Sequence, residues 1–258
     1  MTTGADMTAS GWALTYLSKG LSPTPVAFKG KNPILAEWQT QRLTEADIAL
    51  HFNDFTLNIG ILLGEPSNGL VDIDIDCPEA LLLAPYFLDE TGWCFGRASK
   101  PNSHWLYVAE PPGWTTQFAD LDGAMLVEYR STGAQTVFPG SAHASGETVE
   151  WVDFYSPTII DGQVLKSSVS RLAAATLFAR HWPKPGSRQG AALALAGGLL
   201  RAAWDLEAVK IFIGAISKVA GDEESEKRVS AVACTKGKQD AGEPTTGWPK
   251  LRELLGQA

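Results

Sequence analysis

The stretch NIGILLGEPSNGLVDIDIDCPEA, Asn58 to Ala80, decides how this chain is read. An apolar run breaks at Glu65-Pro66-Ser67-Asn68-Gly69, a turn composition, and resumes as Leu70-Val71 before acid and isoleucine alternate up to Asp76. Alternation with a period of two is strand patterning, so the segment predicts a strand, a turn and a second strand. Pro78 then suits the first turn of a helix reaching about Leu88. In the second strand Asp72, Asp74 and Asp76 share one face, and Val71, Ile73 and Ile75 share the other, which belongs in a core. Like charges at this spacing cost stability unless water or cations compensate, and such an oxygen-rich row suits Mg²⁺ or Mn²⁺. The competing account is a solvated acidic face on an exposed sheet. From the strand alone, any two of the three acids could serve a metal.

Working outward, Trp12, Tyr16 and Leu17 fall at helical spacing between Thr8 and Lys19, with Gly20 just past the end. A strand PVAF follows, and Thr44-Glu45-Ala46-Asp47 fits a capping box opening a helix from Glu45 to Phe52. Downstream, WCFG, HWLYV, MLVEY, QTVFP and TVEW read as strands separated by Gly, Pro or Ser. From Ser168 the pattern turns helical, in four segments that reach Lys238, with Asp205 and Asp222 at cap positions. The expectation is a mixed α+β domain over residues 1–162 and a small all-α domain over 163–258, joined by a looser stretch from Ser156 to Leu165.

Charge divides the chain in the same place. Residues 1–162 carry 7 Lys and Arg against 20 Asp and Glu, a balance of −13, whereas the remainder carries 14 against 9, a balance of +5. A basic tail can meet phosphate nonspecifically. The few cations of the front part, Lys19, Lys29, Lys31, Arg42, Arg97, Lys100 and Arg130, are therefore informative. No apolar run is long enough to span a bilayer and no basic-then-apolar leader opens the chain, so a cytoplasmic protein with no membrane partner is expected. Cys77, Cys94 and Cys234 are scattered and odd in number, which argues for buried filler and against a disulfide framework or a zinc ribbon.

Two further segments carry chemistry. In RASKPNSHWLY, Arg97, Ser99, Lys100 and His104 lead into an apolar strand, and two cations beside a histidine could hold a triphosphate by charge-assisted bonds. In LVEYRSTGAQTVFPGSAHASGE, Glu128 and Arg130 share one strand face. A structural histidine and a surface Glu–Arg pair are the plainer accounts of the same residues.

In this order, the acidic strand, the basic His-bearing strand and the third carboxylate before a Pro, Ser and Gly-rich loop resemble the archaeo-eukaryotic primase superfamily. The resemblance is to its bifunctional primase-polymerase branch of phages, plasmids and other mobile elements, and it covers nearly the whole chain. GKNPILAEW is similar to that branch's Gly-Lys-x-Pro…Trp signature, and CPEA after the acids maps its metal pair to Asp74 and Asp76, leaving Asp72 an extra acid. The resemblance implies an RRM-like mixed sheet with flanking helices, followed by a helical C-terminal domain. It gives His104 a contact to the incoming nucleotide, makes Glu128 the third metal ligand where Asp is commoner, and makes Arg130 a basic neighbour. Arg97, Ser99, Lys100 and Ser141 complete the implied nucleotide contacts. Gly140 replaces the second proline of the family's Pro-Pro-Ser loop, which is expected to loosen it. PKPGSRQGAALALAG and GWPKLRELLG resemble the opening and closing motifs of the C-terminal domain, with Gln189 where His is common.

The implied activity is DNA primase and polymerase: template-dependent nucleotidyl transfer by two Mg²⁺ or Mn²⁺ ions held by Asp74, Asp76 and Glu128. Implied partners are single-stranded or primed DNA, nucleoside triphosphates and a replicative helicase. No GxxxxGK[ST] run occurs, so this chain carries no helicase motor of that kind. A metal-dependent nuclease and a noncatalytic DNA-binding module are the rival readings.

Overall fold

The computed structural model describes residues 7–53 and 56–256. Helix α1 (Ala9–Ser18) begins where the Thr8 hydroxyl accepts the Gly11 N–H, and it is followed by β1 (Ser22–Val26). That strand starts earlier than PVAF suggested and carries two prolines. It lies at the edge of its sheet, where a missing N–H breaks no ladder. Helix α2 (Glu45–His51) has the expected capping box, with Thr44 and Asp47 exchanging bonds. β2 (Asn58–Leu62) and β3 (Leu70–Ile75) flank the predicted turn, and Gly64 there has φ +75° with Thr132 packed where a Cβ would sit. Then follow α3 (Pro78–Phe87), β4 (Trp93–Arg97), β5 (Lys100–Glu110), β6 (Thr116–Ala119), β7 (Met125–Arg130), β8 (Gln135–Val137), β9 (Glu150–Phe154) and β10 (Thr158–Asp161). The helices α4 (Gly162–Arg180), α5 (Arg188–Arg201), α6 (Leu206–Val219), α7 (Ser225–Asp240) and α8 (Trp248–Leu255) complete the chain.

The fold is α+β followed by helices, as the sequence implied. Two strands escaped its reading. β6 is a four-residue sheet edge, and β10 occupies the stretch taken for a loose connection, pairing in parallel with the end of β5. Isolated short strands bury too little of a periodic face to be legible before their partners are known. Helix α4 likewise starts at Gly162 and not at Ser168. Asp205 caps α6 by accepting the Ala208 N–H, but Asp222 lies two residues before the cap position of α7 and is committed to other bonds. Cys77 and Cys94 are buried, whereas Cys234 is exposed and is not filler.

The chain forms two units. One comprises residues up to Asp76 together with Asp89–Val169, and the other Cys77–Leu88 together with Ser170 onward. In the first, a three-stranded sheet ordered β1-β2-β8 accompanies a seven-stranded sheet running β6-β7-β3-β5-β4-β9, with β10 beside β5. Their shared core holds Ala13 and Tyr16 of α1, Ile48 of α2, Ile59 and Ile61 of β2, and Leu70, Phe95 and Leu106 of the large sheet. Tyr16 is its hub. It meets Phe138 edge-on at 5.3 Å between centroids, receives the Trp151 indole N–H, and donates its hydroxyl to the Pro139 carbonyl at 2.8 Å. Aromatic pairs of this kind add about 1 kcal/mol each beyond their buried area. In the second unit α5 packs against α6, α7 and α8, and α3 joins them by setting Phe87 against Phe212 of α6.

Candidate active site

β3 lies inside the large sheet, with β5 on one side and β7 on the other. Its acids therefore do not sit on a solvated face. Leu70, Asp72 and Asp74 point to the same side as the shared core, and exposure grows along that line. Leu70 and Asp72 are wholly buried, Asp74 is 8% exposed, and the Asp76 side chain, just past the strand end, is 28% exposed. The strand thus runs out of an apolar core into an open cleft.

Register decides what meets the acids. Asp74 is paired with His104 of β5 and with Glu128 of β7, and Asp72 with Arg130. Phe95 continues the first row beyond His104, and Gln117 continues it beyond Glu128. One oxygen each from Asp74, Asp76 and Glu128 can be chosen so that all lie within 4.8 Å of one another. Cations already compensate this cluster. The Lys100 ammonium is 3.1 Å from Asp76 and 4.0 Å from Asp74, while Arg130 reaches Asp74 at 3.3 Å and donates its Nε–H to Glu128 at 3.1 Å. Gln117 donates to the other Glu128 oxygen.

Asp72 is outside that cluster. It accepts from the Thr136 hydroxyl at 2.6 Å and faces the His104 Nδ1 at 3.0 Å. Burial alone would raise its pKa. The charge and hydrogen bond of His104, with Arg130 and Thr136, outweigh burial and hold the carboxyl below its ordinary value. Burial likewise disfavours a charged His104, but the Asp74 and Asp72 carboxylates more than offset it and raise the imidazole. The ring stacks on Phe95, 4.4 Å between centroids and 13° between planes.

The cleft above these groups encloses about 760 Å³ including its open mouth. Five of the seven cations of residues 1–162 line it: Lys29, Lys31, Arg97, Lys100 and Arg130. His104 and His143 join them, as does Ser103, whose buried hydroxyl has no hydrogen-bond partner among the described residues. Glu147 ties one rim together. Its carboxylate accepts from the Ser99 N–H at 2.7 Å and from the hydroxyls of Ser99 and Ser145 at 2.8 Å, and pairs with Arg97 at 3.2 Å. The Ser145 and Ser99 bonds first, with a smaller share from Arg97, pull the Glu147 pKa down to about 2.

The structure thus assembles Asp74, Asp76, His104, Lys100, Arg130 and Arg97 at one cleft, with Glu128 next to Asp74 and Asp76 beneath it. Ser99 and Ser141 are not in its wall. The Ser99 hydroxyl is held by Glu147, and that of Ser141 is buried, accepting the Ile59 N–H at 2.9 Å. Gly140 does not loosen the loop as expected. Its φ of +90° is closed to proline, and the Trp12 ring occupies the space of a Cβ, so glycine there permits close packing. Sequence reasoning passed over Thr136, Gln117 and Glu147. Of these only Glu147, an acid among the serines and glycines of a loop, gave any signal.

A β-sheet carrying carboxylates on neighbouring strands beneath a cation-lined cleft has the donor set of a metal-dependent phosphoryl-transfer site. The family model for the N-terminal domain of bifunctional DNA primase/polymerase matches residues 13–160, more than half of the chain, and the chain belongs to this family. Membership implies a nucleotidyltransferase type of enzyme that acts on nucleotides and DNA and depends on metal. No curated protein matches the chain. Among the described residues no helix is long and apolar enough to cross a membrane.

Proposed function

We propose that this protein is a template-dependent DNA primase/polymerase in which residues 1–162 catalyse nucleotidyl transfer by a two-metal mechanism. The observation that carries the reading is the row His104–Asp74–Glu128 across three adjacent strands, opening into a cleft that gathers five of the front part's seven cations. Carboxylate oxygens alone make up the candidate ligand set, which suits Mg²⁺ or Mn²⁺ better than zinc. Asp74, Asp76 and Glu128 would hold the ions. Such ions, when bound, neutralise the charge that develops on the attacking and leaving oxygens of phosphoryl transfer.

The rest is the work of the chain's own side chains. Lys100 and Arg130 are positioned to release part of their pairing with the acids and neutralise phosphate, with Arg97, Lys29 and Lys31 extending the positive lining outward. His104, as the imidazolium that Asp74 and Asp72 favour, would orient the triphosphate by donating its Nε2–H, while Nδ1–H stays on Asp72. The helical residues 163–258, whose charge balance is positive, are proposed to contact template DNA, and the resemblance to the mobile-element branch favours a role in replicating a phage, plasmid or similar element beside a helicase carried elsewhere.

The direct experiment incubates the chain with a primed template, labelled deoxyribonucleotides or ribonucleotides, and Mg²⁺ or Mn²⁺. Extension of the primer is expected. Shortening of the primer would favour a nuclease, and tight binding without turnover in either metal a noncatalytic module.

A further inference from the structure

We infer that Asp72 is a positioning residue that holds His104 in its nucleotide-binding orientation and is not a metal ligand; the inference rests on the nucleotidyl-transfer reading above. A third carboxylate in the middle of a central strand, with no exposed surface, is costly unless its oxygens are used. Both are. One accepts the Thr136 hydroxyl, and both lie within hydrogen-bond reach of His104 Nδ1, at 3.0 and 3.2 Å. Thr136 is itself held by Arg130, whose Nη1 donates to its hydroxyl at 3.2 Å.

An imidazole bonded through Nδ1–H to a carboxylate has its second nitrogen fixed in direction. Here that nitrogen is 3.8 Å from Asp74 at the cleft floor, and the Phe95 ring stacked on the imidazole removes the remaining freedom of tilt. His104 therefore enters the cleft from two constraints, a carboxylate at its back and an aromatic plane at its side. Asp72 lies one pleat deeper than Asp74 on the same face and is not among the three acids whose oxygens come within 4.8 Å of one another. The same carboxylate cannot serve His104 and Thr136 and also turn toward an ion beside Asp76.

The test combines kinetics with a spectroscopic readout on the full chain. In ¹⁵N-histidine-labelled protein, the His104 resonance, identified by its loss in His104→Gln, is expected to show a protonated Nδ1 in a hydrogen bond. An unprotonated Nδ1 overturns the proposal. With a primed template, Asp72→Ala and His104→Ala should each raise the nucleotide KM roughly tenfold or more with a smaller change in kcat. The double variant should be no worse than the poorer single one, because the two residues act as a unit. Multiplying losses in the double variant, or a shift in the Mn²⁺ half-saturation of Asp72→Ala, would overturn it. Should Asp72→Ala fail to fold, Asp72→Asn keeps the shape and is expected to give the same KM-specific defect together with a changed His104 spectrum. Failure of the wild type to incorporate nucleotide in any metal would defeat the underlying functional reading, while the spectrum would still report on the His104–Asp72 pair.

Discussion

The two units each bury a cluster of charges, and the clusters are built on opposite principles. In the helical unit Asp222 and Arg228 have side chains 0% and 6% exposed, and Arg228 donates to both Asp222 oxygens, to Glu224 and to Gln189. Asp222 further accepts the Trp182 indole N–H and the Glu224 backbone N–H. With Arg188, which pairs with Asp222 at 3.8 Å and Glu223 at 2.6 Å, and Lys227, which pairs with Glu224, three cations answer three carboxylates, and the cluster ties α7 to α5 and to the residues before it. In the sheet unit four carboxylates, Asp72, Asp74, Asp76 and Glu128, face two permanent cations and a histidine, beneath an open cleft. A balanced closed network leaves no charge unpaired and is costly to break; an unbalanced one beside a cavity is prepared to receive charge. Gln189 belongs to this closed network, since its side-chain oxygen accepts from Arg228 at 2.7 Å.

The sharpest way to break this contrast is to remove one carboxylate from the open cluster. Asp74→Asn should lower nucleotide incorporation by about 10³-fold or more while leaving the thermal midpoint unchanged or higher, because it relieves repulsion. A folded variant that still extends primers at a comparable rate would place the chemistry elsewhere. Next in size, Arg228→Ala should destabilise the protein by about 3 kcal/mol in denaturant unfolding, since it strands Asp222 in the interior. A loss under 1 kcal/mol would mean that the network is not closed after all. Lys100→Ala should raise the nucleotide KM about tenfold with a lesser effect on kcat, and the reverse pattern in steady-state kinetics would assign Lys100 to the chemical step.

The smallest effect concerns the cleft rim. Glu147→Gln should raise the nucleotide KM only a few-fold, because the amide keeps one acceptor for Ser99. The sign of its pH dependence follows from the depressed pKa. The contribution of Glu147 is complete above its ordinary value of 4.5 and is lost as pH falls toward about 2. Nucleotide KM in the wild type should therefore show no titration from this group between pH 5 and pH 8, within roughly the range where such assays run. A KM transition near pH 4.5 to 5 that Glu147→Gln abolishes would contradict the hydrogen bonding that depresses it.

The legible part of the fold was that with strong local signals. The Thr44 capping box, the Pro78 helix start and the acid–isoleucine alternation all rest on interactions within a few residues, and each appears where it was read. β6 and β10 were not legible because their existence depends on β7 and β5 as partners. The same limit applied to side chains. Ser141 seemed a ligand-facing loop residue, yet its hydroxyl serves Ile59, and Glu147 was passed over because only the fold brings the strand turn at Ser99 beside it.

By itself the sequence determined that Asp72, Asp74 and Asp76 share one face, since side-chain alternation along a strand is a property of the backbone. It also determined, through the order of its three motifs, the family to which the chain belongs. Only the tertiary structure decided that β3 is central and not an exposed edge, and that its register sets Asp74 between His104 and Glu128. It likewise separated the three acids, burying Asp72 against His104 and Thr136 and leaving Asp74 and Asp76 at the cleft. The reason is physical: direction along a strand is local, but the cost of burying a charge depends on which partners other strands bring to it.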